Sequence, residues 1–154
     1  DLRMVSEVLK TITDLERIGD EAVKIAKMTL HISEQAGHVS SRYAGIRHLG
    51  EHVKRMLHNL LDAYAGIDTD VAILLARDDE LSASEYRDLM RMLMTYMMED
   101  PRTISEVFDV VWAARALERI GDHAKNIGEY VIYLVKGKDV RHLDLEEIEK
   151  DILS

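Results

Sequence analysis

Two pairs of carboxylates spaced four residues apart are the side chains best placed to do chemistry: Glu16 with Asp20, and Glu118 with Asp122. On a helix this spacing stacks each pair on one face about one turn apart, where like charges repel. Each pair lies inside the same hexapeptide, Leu-Glu-Arg-Ile-Gly-Asp, at 15–20 and again at 117–122, which marks an internal duplication. A repulsive pair present in both copies is understood if a cation neutralises it, and carboxylates so spaced offer the oxygen donors that hard cations take. The competing reading is that these acids only solvate a helix face, with Arg17 offered to Asp14 and Glu21, and Arg119 to nearby acids. The spacing leaves both open, and oxygen ligands do not identify the ion.

Other groups add to this or limit it. Asp78, Asp79 and Glu80 form an acidic run that could complete a site from a neighbouring helix, although a charge run is usually a solvated face. His48 and His52 stand four apart and could grip a transition metal, but no third ligand is evident beside them in the sequence. No histidine follows a glutamate by three residues, so the Glu-x-x-His signature of di-iron bundle oxidases is absent. Nor is there a phosphate-cradling glycine loop, a Ser-His-Asp set or a nucleotide fold, so neither catalytic nor organic-cofactor residues are expected. Met90, Met92, Met94, Met97 and Met98 wrap around one helix, which fits core packing or an adaptable contact surface.

The chain has 154 residues, 47% of them apolar, enough for one hydrophobic core. One proline, one phenylalanine and an abundance of helix formers predict an all-α fold, and the absence of cysteine excludes disulfides and thiolate ligands. A formal charge of −9 without a long Lys/Arg run argues against nucleic acid as a partner. No uninterrupted apolar stretch could span a bilayer and no secretion signal opens the chain, so a cytoplasmic location without membrane insertion is expected. Asp1 falls inside a helical pattern, so an N-terminal portion is expected to be missing.

The elements that must position these groups follow from periodicity. Met4, Val8, Thr11, Leu15, Ile18, Ala22, Ile25, Thr29 and Ile32 predict a first helix over about 2–34 with that seam inward. Ile46, Leu49, Val53, Met56, Leu60, Ala63 and Ile67 predict a second, ending near Gly66. Asp68 should cap a third helix reaching about Met98, and Asp100 with Pro101 should open a fourth that stops at Gly137. In that last helix Val110, Ala113, Leu117, Ile120, Ala124, Ile127, Val131 and Leu134 recur every three or four residues, which places Glu118 and Asp122 off the seam. Gly19 and Gly121 each cost about 1 kcal/mol of helix stability relative to alanine, which predicts a close approach to the backbone there. Short connections predict an up-down-up bundle of helices two to four, with 39–137 as a complete three-helix repeat. Residues 1–36 would be the last helix of a preceding repeat, and 138–154 a tail helix.

The stretch Ala-Arg-Ala-Leu-Glu-Arg-Ile-Gly-Asp-His-Ala-Lys-Asn-Ile-Gly-Glu at 114–129, followed by Tyr133-Leu134-Val135-Lys136-Gly137, resembles the last helix of the PhoU family of bacterial phosphate-signalling regulators. Thr11 to Lys27 is similar to that family's earlier repeat, and Leu93 to Asp100 resembles its proteobacterial members. The resemblance implies paired three-helix bundles, of which this chain lacks the first two helices. It also implies multinuclear iron or zinc clusters held by carboxylate motifs on the bundle surface, and so metal roles for Glu16, Asp20, Asp79, Glu118 and Asp122. Ala83 stands where the family's middle-helix motif has its second acid, which implies a single ion or a weaker site here. The function implied is that of a non-enzymatic, commonly dimeric cytoplasmic regulator. It would link the ATPase of the phosphate ABC transporter to a sensor histidine kinase and repress phosphate uptake and the starvation response. A metal-dependent enzyme and a purely structural bundle are the alternatives.

Overall fold

Helix-terminating residues divide the chain where the periodicity changes. The computed structural model describes residues 2–36 and 43–136 together with Glu146, Glu147 and Lys150. Helix α1 is Leu2–Ala36, α2 is Ala44–Gly66, α3 is Thr69–Glu99 and α4 is Ile104–Lys136. Among the described residues there is no strand. The turn expected at Gly37 to Ser41 and most of the tail expected over 138–154 lie outside the described residues.

Each described boundary has a local cause. After Gly66 the chain turns through Ile67 in the left-handed region (φ 51), and the Ile67 and Asp68 amides close the turn on the Tyr64 and Ala63 carbonyls. Ile67 is thus an exposed cap residue and not the last seam position. The Asp68 carboxylate accepts the Asp70 amide at 3.0 Å and so starts α3. Asp100 accepts the Arg102 amide at 3.1 Å, and Pro101 opens a short 3₁₀ turn, Pro101–Thr103, with α4 following it.

Cross-helix contacts set the topology. Gly50 meets Leu117, Met56 meets Gly121 and Leu60 meets Gly128, in ascending order, so α2 and α4 run parallel. His52 meets Glu85, and Asp79 meets Lys125, so α3 runs against both. The up-down-up bundle is therefore present, its core formed by Leu49, Val53, Met56, Leu60, Leu89, Leu93, Val110, Leu117, Ile120 and Ile127. Of the seam expected on α4, every residue through Val131 is buried and Leu134 is half-buried.

The seam of α1 departs from expectation. Thr11, Ile18, Ile25 and Ile32 do face the bundle, but the alternating positions between them are Glu7, Asp14, Glu21 and Met28, while Met4, Val8, Leu15, Ala22 and Thr29 are exposed. The physical reason lies on α4. His31 pairs with Asp109, Glu21 with Arg119, and Asp14 with Asn126, so α1 lies antiparallel to α4 through an ionic and hydrogen-bonded interface. Superposing the two hexapeptides places exposed Val8, Ile12 and Leu15 on buried Val110, Ala114 and Leu117. The apolar stripe of α1 is thus the counterpart of the face that α4 buries beneath α2 and α3. The fold described is an all-α bundle in which α2, α3 and α4 form an up-down-up three-helix unit and α1 docks antiparallel on α4.

Candidate functional site

The second hexapeptide directs its acids toward the groove between α4 and α3. Gly121 lies under that groove, and a Cβ added there would come to 3.5 Å from Met56 Cε, 3.7 Å from Ser82 Oγ and 3.9 Å from Asp79 Oδ1. These are ordinary van der Waals separations, so a Cβ would be accommodated there; what they establish is that α3 lays its Asp79 carboxylate over α4 at this position, beside Asp122 and Glu118. Neither Asp78 nor Glu80 shares that placement. Asp78 lines a separate depression with Arg77 and Leu81, and Glu80 lines another with Ala83 and Arg87.

The groove is electrostatically loaded. Burial is the main cause that lifts the Asp79 carboxyl above its usual range; the Lys125 ammonium opposes this and Glu80 adds to it. Burial also leads in raising Asp122, with Glu118 and Asp79 adding repulsion and His123 and Lys125 opposing it. The Tyr86 phenol is raised by burial first and then by Glu118, whose carboxylate accepts its hydroxyl, against the pull of Arg115. Lys125 Nζ sits 3.3 Å from Asp79 Oδ2, so a side chain already supplies positive charge to the cluster.

Three of the five expected ligands, Asp79, Glu118 and Asp122, therefore come together. Their chemistry fits a hard cation, since each offers carboxylate oxygens, burial pushes Asp79 and Asp122 toward protonation, and Asp122 is also repelled by Glu118 and Asp79. Among the described residues, however, no group of three or more acidic or imidazole side chains is placed, as the side chains stand, to hold a metal ion. The other two, Glu16 and Asp20, are exposed on α1, and Gly19 has nothing within 4 Å of a would-be Cβ. Of the two glycines at which a close approach was expected, Gly121 is packed against α2 and α3 at ordinary van der Waals distance and Gly19 meets nothing.

Sequence reasoning passed over Lys125 and Tyr86. Lys125 follows Glu118 by seven residues and Asp122 by three, and Tyr86 follows Asp79 by seven, so helical spacing alone placed each on its acid's face. Asp14, to which the solvation reading offered Arg17, instead takes His123 Nδ1 at 2.7 Å and Asn126 Nδ2 at 3.2 Å on Oδ1, while Oδ2 accepts the Tyr130 hydroxyl at 2.7 Å. Arg17 is not among these partners. Glu21 is held by Lys24 at 3.0 Å and approached by Arg119 at 3.7 Å.

Among the described residues no helix is long and apolar enough to cross a membrane. The chain is similar to the phosphate-specific transport system accessory protein PhoU homolog of Pseudomonas putida, 49% identical over 152 residues that cover 99% of this chain and 59% of that protein. It thus spans less than two thirds of that relative's length. The crystal structure of PhoU from Pseudomonas aeruginosa superposes with a TM-score of 0.86 at 48% identity, covering 90% of this chain and 66% of that one. The phosphate transport system regulatory protein PhoU from Streptococcus pneumoniae superposes with a TM-score of 0.81 at 29% identity, covering 91% and 65%. The PhoU domain family model matches residues 1–29 and 46–131, the stretches that carry both hexapeptides and the α2–α4 bundle, and the chain accordingly belongs to the PhoU family.

Proposed function

We propose that this chain forms the greater part of a phosphate-transport accessory protein that acts without catalysis. It would be a negative regulator of phosphate uptake and starvation signalling, joining the ATPase of the phosphate ABC transporter to a sensor histidine kinase in the cytoplasm. The carrying observation is family membership over both hexapeptide regions, 1–29 and 46–131, with relatives described as phosphate-specific transport system accessory proteins. An acidic bundle with exposed Met94 and Met98 suits protein partners better than polyanions.

In this reading 39–137 is one repeat, and residues 1–36 close a preceding repeat whose other two helices cover Val8, Ile12 and Leu15. Asp79, Glu118 and Asp122 would hold a cation, of the iron, zinc or other divalent class, that neutralises the α3–α4 groove. Glu16 and Asp20 would do the same for the preceding repeat. Such an ion would supply charge neutralisation that ties α3 to α4, while Lys125 gives up Asp79 to it. A homodimer through the Met-rich end of α3 completes the proposal.

The test is retention of purified transporter ATPase and sensor kinase by the immobilised full-length protein in phosphate-replete buffer. Retention of both is expected; failure to retain either overturns the adaptor role. Metal-dependent turnover of phosphate esters that disappears in Glu118→Ala would favour an enzyme instead.

A further inference from the structure

The tertiary structure brings a carboxylate, Glu85, beside the His48/His52 pair. Both histidines lie one turn apart on α2, and both turn Nδ1 toward the same oxygen of Glu85 on α3: His52 at 3.1 Å and His48 at 3.6 Å from Oε2. His52 is largely buried and Glu85 two-thirds covered, so packing holds that pair in place, whereas His48 is 73% exposed and can swing freely. A tetrahedral zinc ion with bonds of about 2.0–2.1 Å needs donor atoms roughly 3.3–3.4 Å apart, and the two observed nitrogen–oxygen separations bracket that value.

We propose that His48, His52 and Glu85 form a binding site for a zinc-class transition metal that clamps α2 to α3, separate from the carboxylate groove between α3 and α4. Both imidazoles already face one carboxylate oxygen; the set is not closed as the side chains stand, and rotation of exposed His48 would close it. Two imidazoles and one carboxylate with a fourth position for water are a ligand set that zinc takes in open sites. The set also differs in kind from the groove. Imidazole nitrogen selects zinc, cobalt, nickel and copper over calcium and magnesium, whereas an all-oxygen site does not. The ion would replace two imidazole–carboxylate contacts by bonds, with both histidines neutral, so affinity falls as the imidazoles protonate. Residues 48, 52 and 85 are independent of the proposed regulatory reading, and the site stands or falls without it.

The experiment titrates the metal-free chain with zinc and with cobalt, alongside His48→Gln, Glu85→Gln and an Asp79→Asn/Asp122→Asn double variant. His48 is exposed, so His48→Gln leaves the fold intact and keeps the test decisive even if Glu85→Gln destabilises the protein. Expected are imidazole resonance shifts at both histidines on zinc addition, a tetrahedral cobalt spectrum, and an upward shift of the unfolding midpoint with zinc. Affinity should fall by at least about 10-fold in His48→Gln and persist in the double carboxylate variant. Zinc affinity unchanged in His48→Gln, zinc binding lost in the double variant, or unshifted imidazole resonances would each overturn the proposal.

Discussion

Lys125 Nζ stands 3.3 Å from Asp79 Oδ2, so one helix of the bundle offers its own cation to the acid that another helix lays across it. Lys125 is half exposed and its pair with Asp79 is weak, the kind of contact that a more highly charged ion displaces. Substituting Lys125→Met should tighten binding of manganese or zinc to the α3–α4 groove by at least about threefold, the equivalent of a half-exposed pair worth roughly 0.7 kcal/mol. Calorimetric titration of variant and parent checks this, and equal affinities would show that Lys125 does not compete.

The pH response of the groove has a definite sign. Asp79 and Asp122 both have folded carboxyl pKa values above 3.8, chiefly through burial, so the folded chain binds these protons more tightly than the unfolded one. Their contribution to stability is fully present below the unfolded value and is lost as pH rises through the raised folded values. Asp79→Asn removes one of these groups. The parent's unfolding midpoint should therefore gain on that of the variant as pH is lowered from neutrality toward the unfolded carboxylate value. A difference between the two that does not change with pH would contradict this assignment.

Asp14 anchors α1 to α4 through His123, Asn126 and Tyr130. Asp14→Ala leaves three partly buried polar groups without their acceptor and should cost about 2–3 kcal/mol. Amide exchange in α1 should accelerate before that in α2 and α3. Uniform acceleration across all four helices would mean instead that α1 is not a separately docked element.

The glycines in α1 and α4 should respond oppositely to alanine. Nothing lies within 4 Å of a Cβ at Gly19, so Gly19→Ala should stabilise this chain by roughly 0.5–1 kcal/mol through helix propensity alone. At Gly128 the added carbon would come to 3.2 Å from Leu60 Cδ1, and Leu60 is fully buried, so overpacking outweighs propensity with a net loss of about 1 kcal/mol. Chemical denaturation of the two variants measures both; a stabilised Gly128→Ala would show that α2 yields easily.

Where a helix has one apolar side, its packing was legible from residue order. The buried face of α4 from Val110 to Val131, the caps at Asp68 and Asp100 and the ends of α2 and α4 all follow local rules that need no knowledge of the neighbours. Helix α1 was misread because it has two faces. Its apolar residues record a bundle-facing side like that of α4, while in this chain it docks through Glu7, Asp14 and Glu21. Periodicity ranks hydrophobicity, and a carboxylate buried by hydrogen bonds from another helix has no hydrophobic signature.

The sequence by itself determined the helical class, the duplication, the helix ends and the spacing that sets Glu118 and Asp122 on one face, because each depends on residues within a few turns of one another. Only the tertiary structure decided that Asp79 joins them while Asp78 and Glu80 do not, that Lys125 answers Asp79, and that Glu85 meets both His48 and His52. Those relationships depend on the rotation and register of one helix against another. Contacts between side chains of different helices, such as Met56 and Ser82 at Gly121, fix these, and no period along a single helix encodes them.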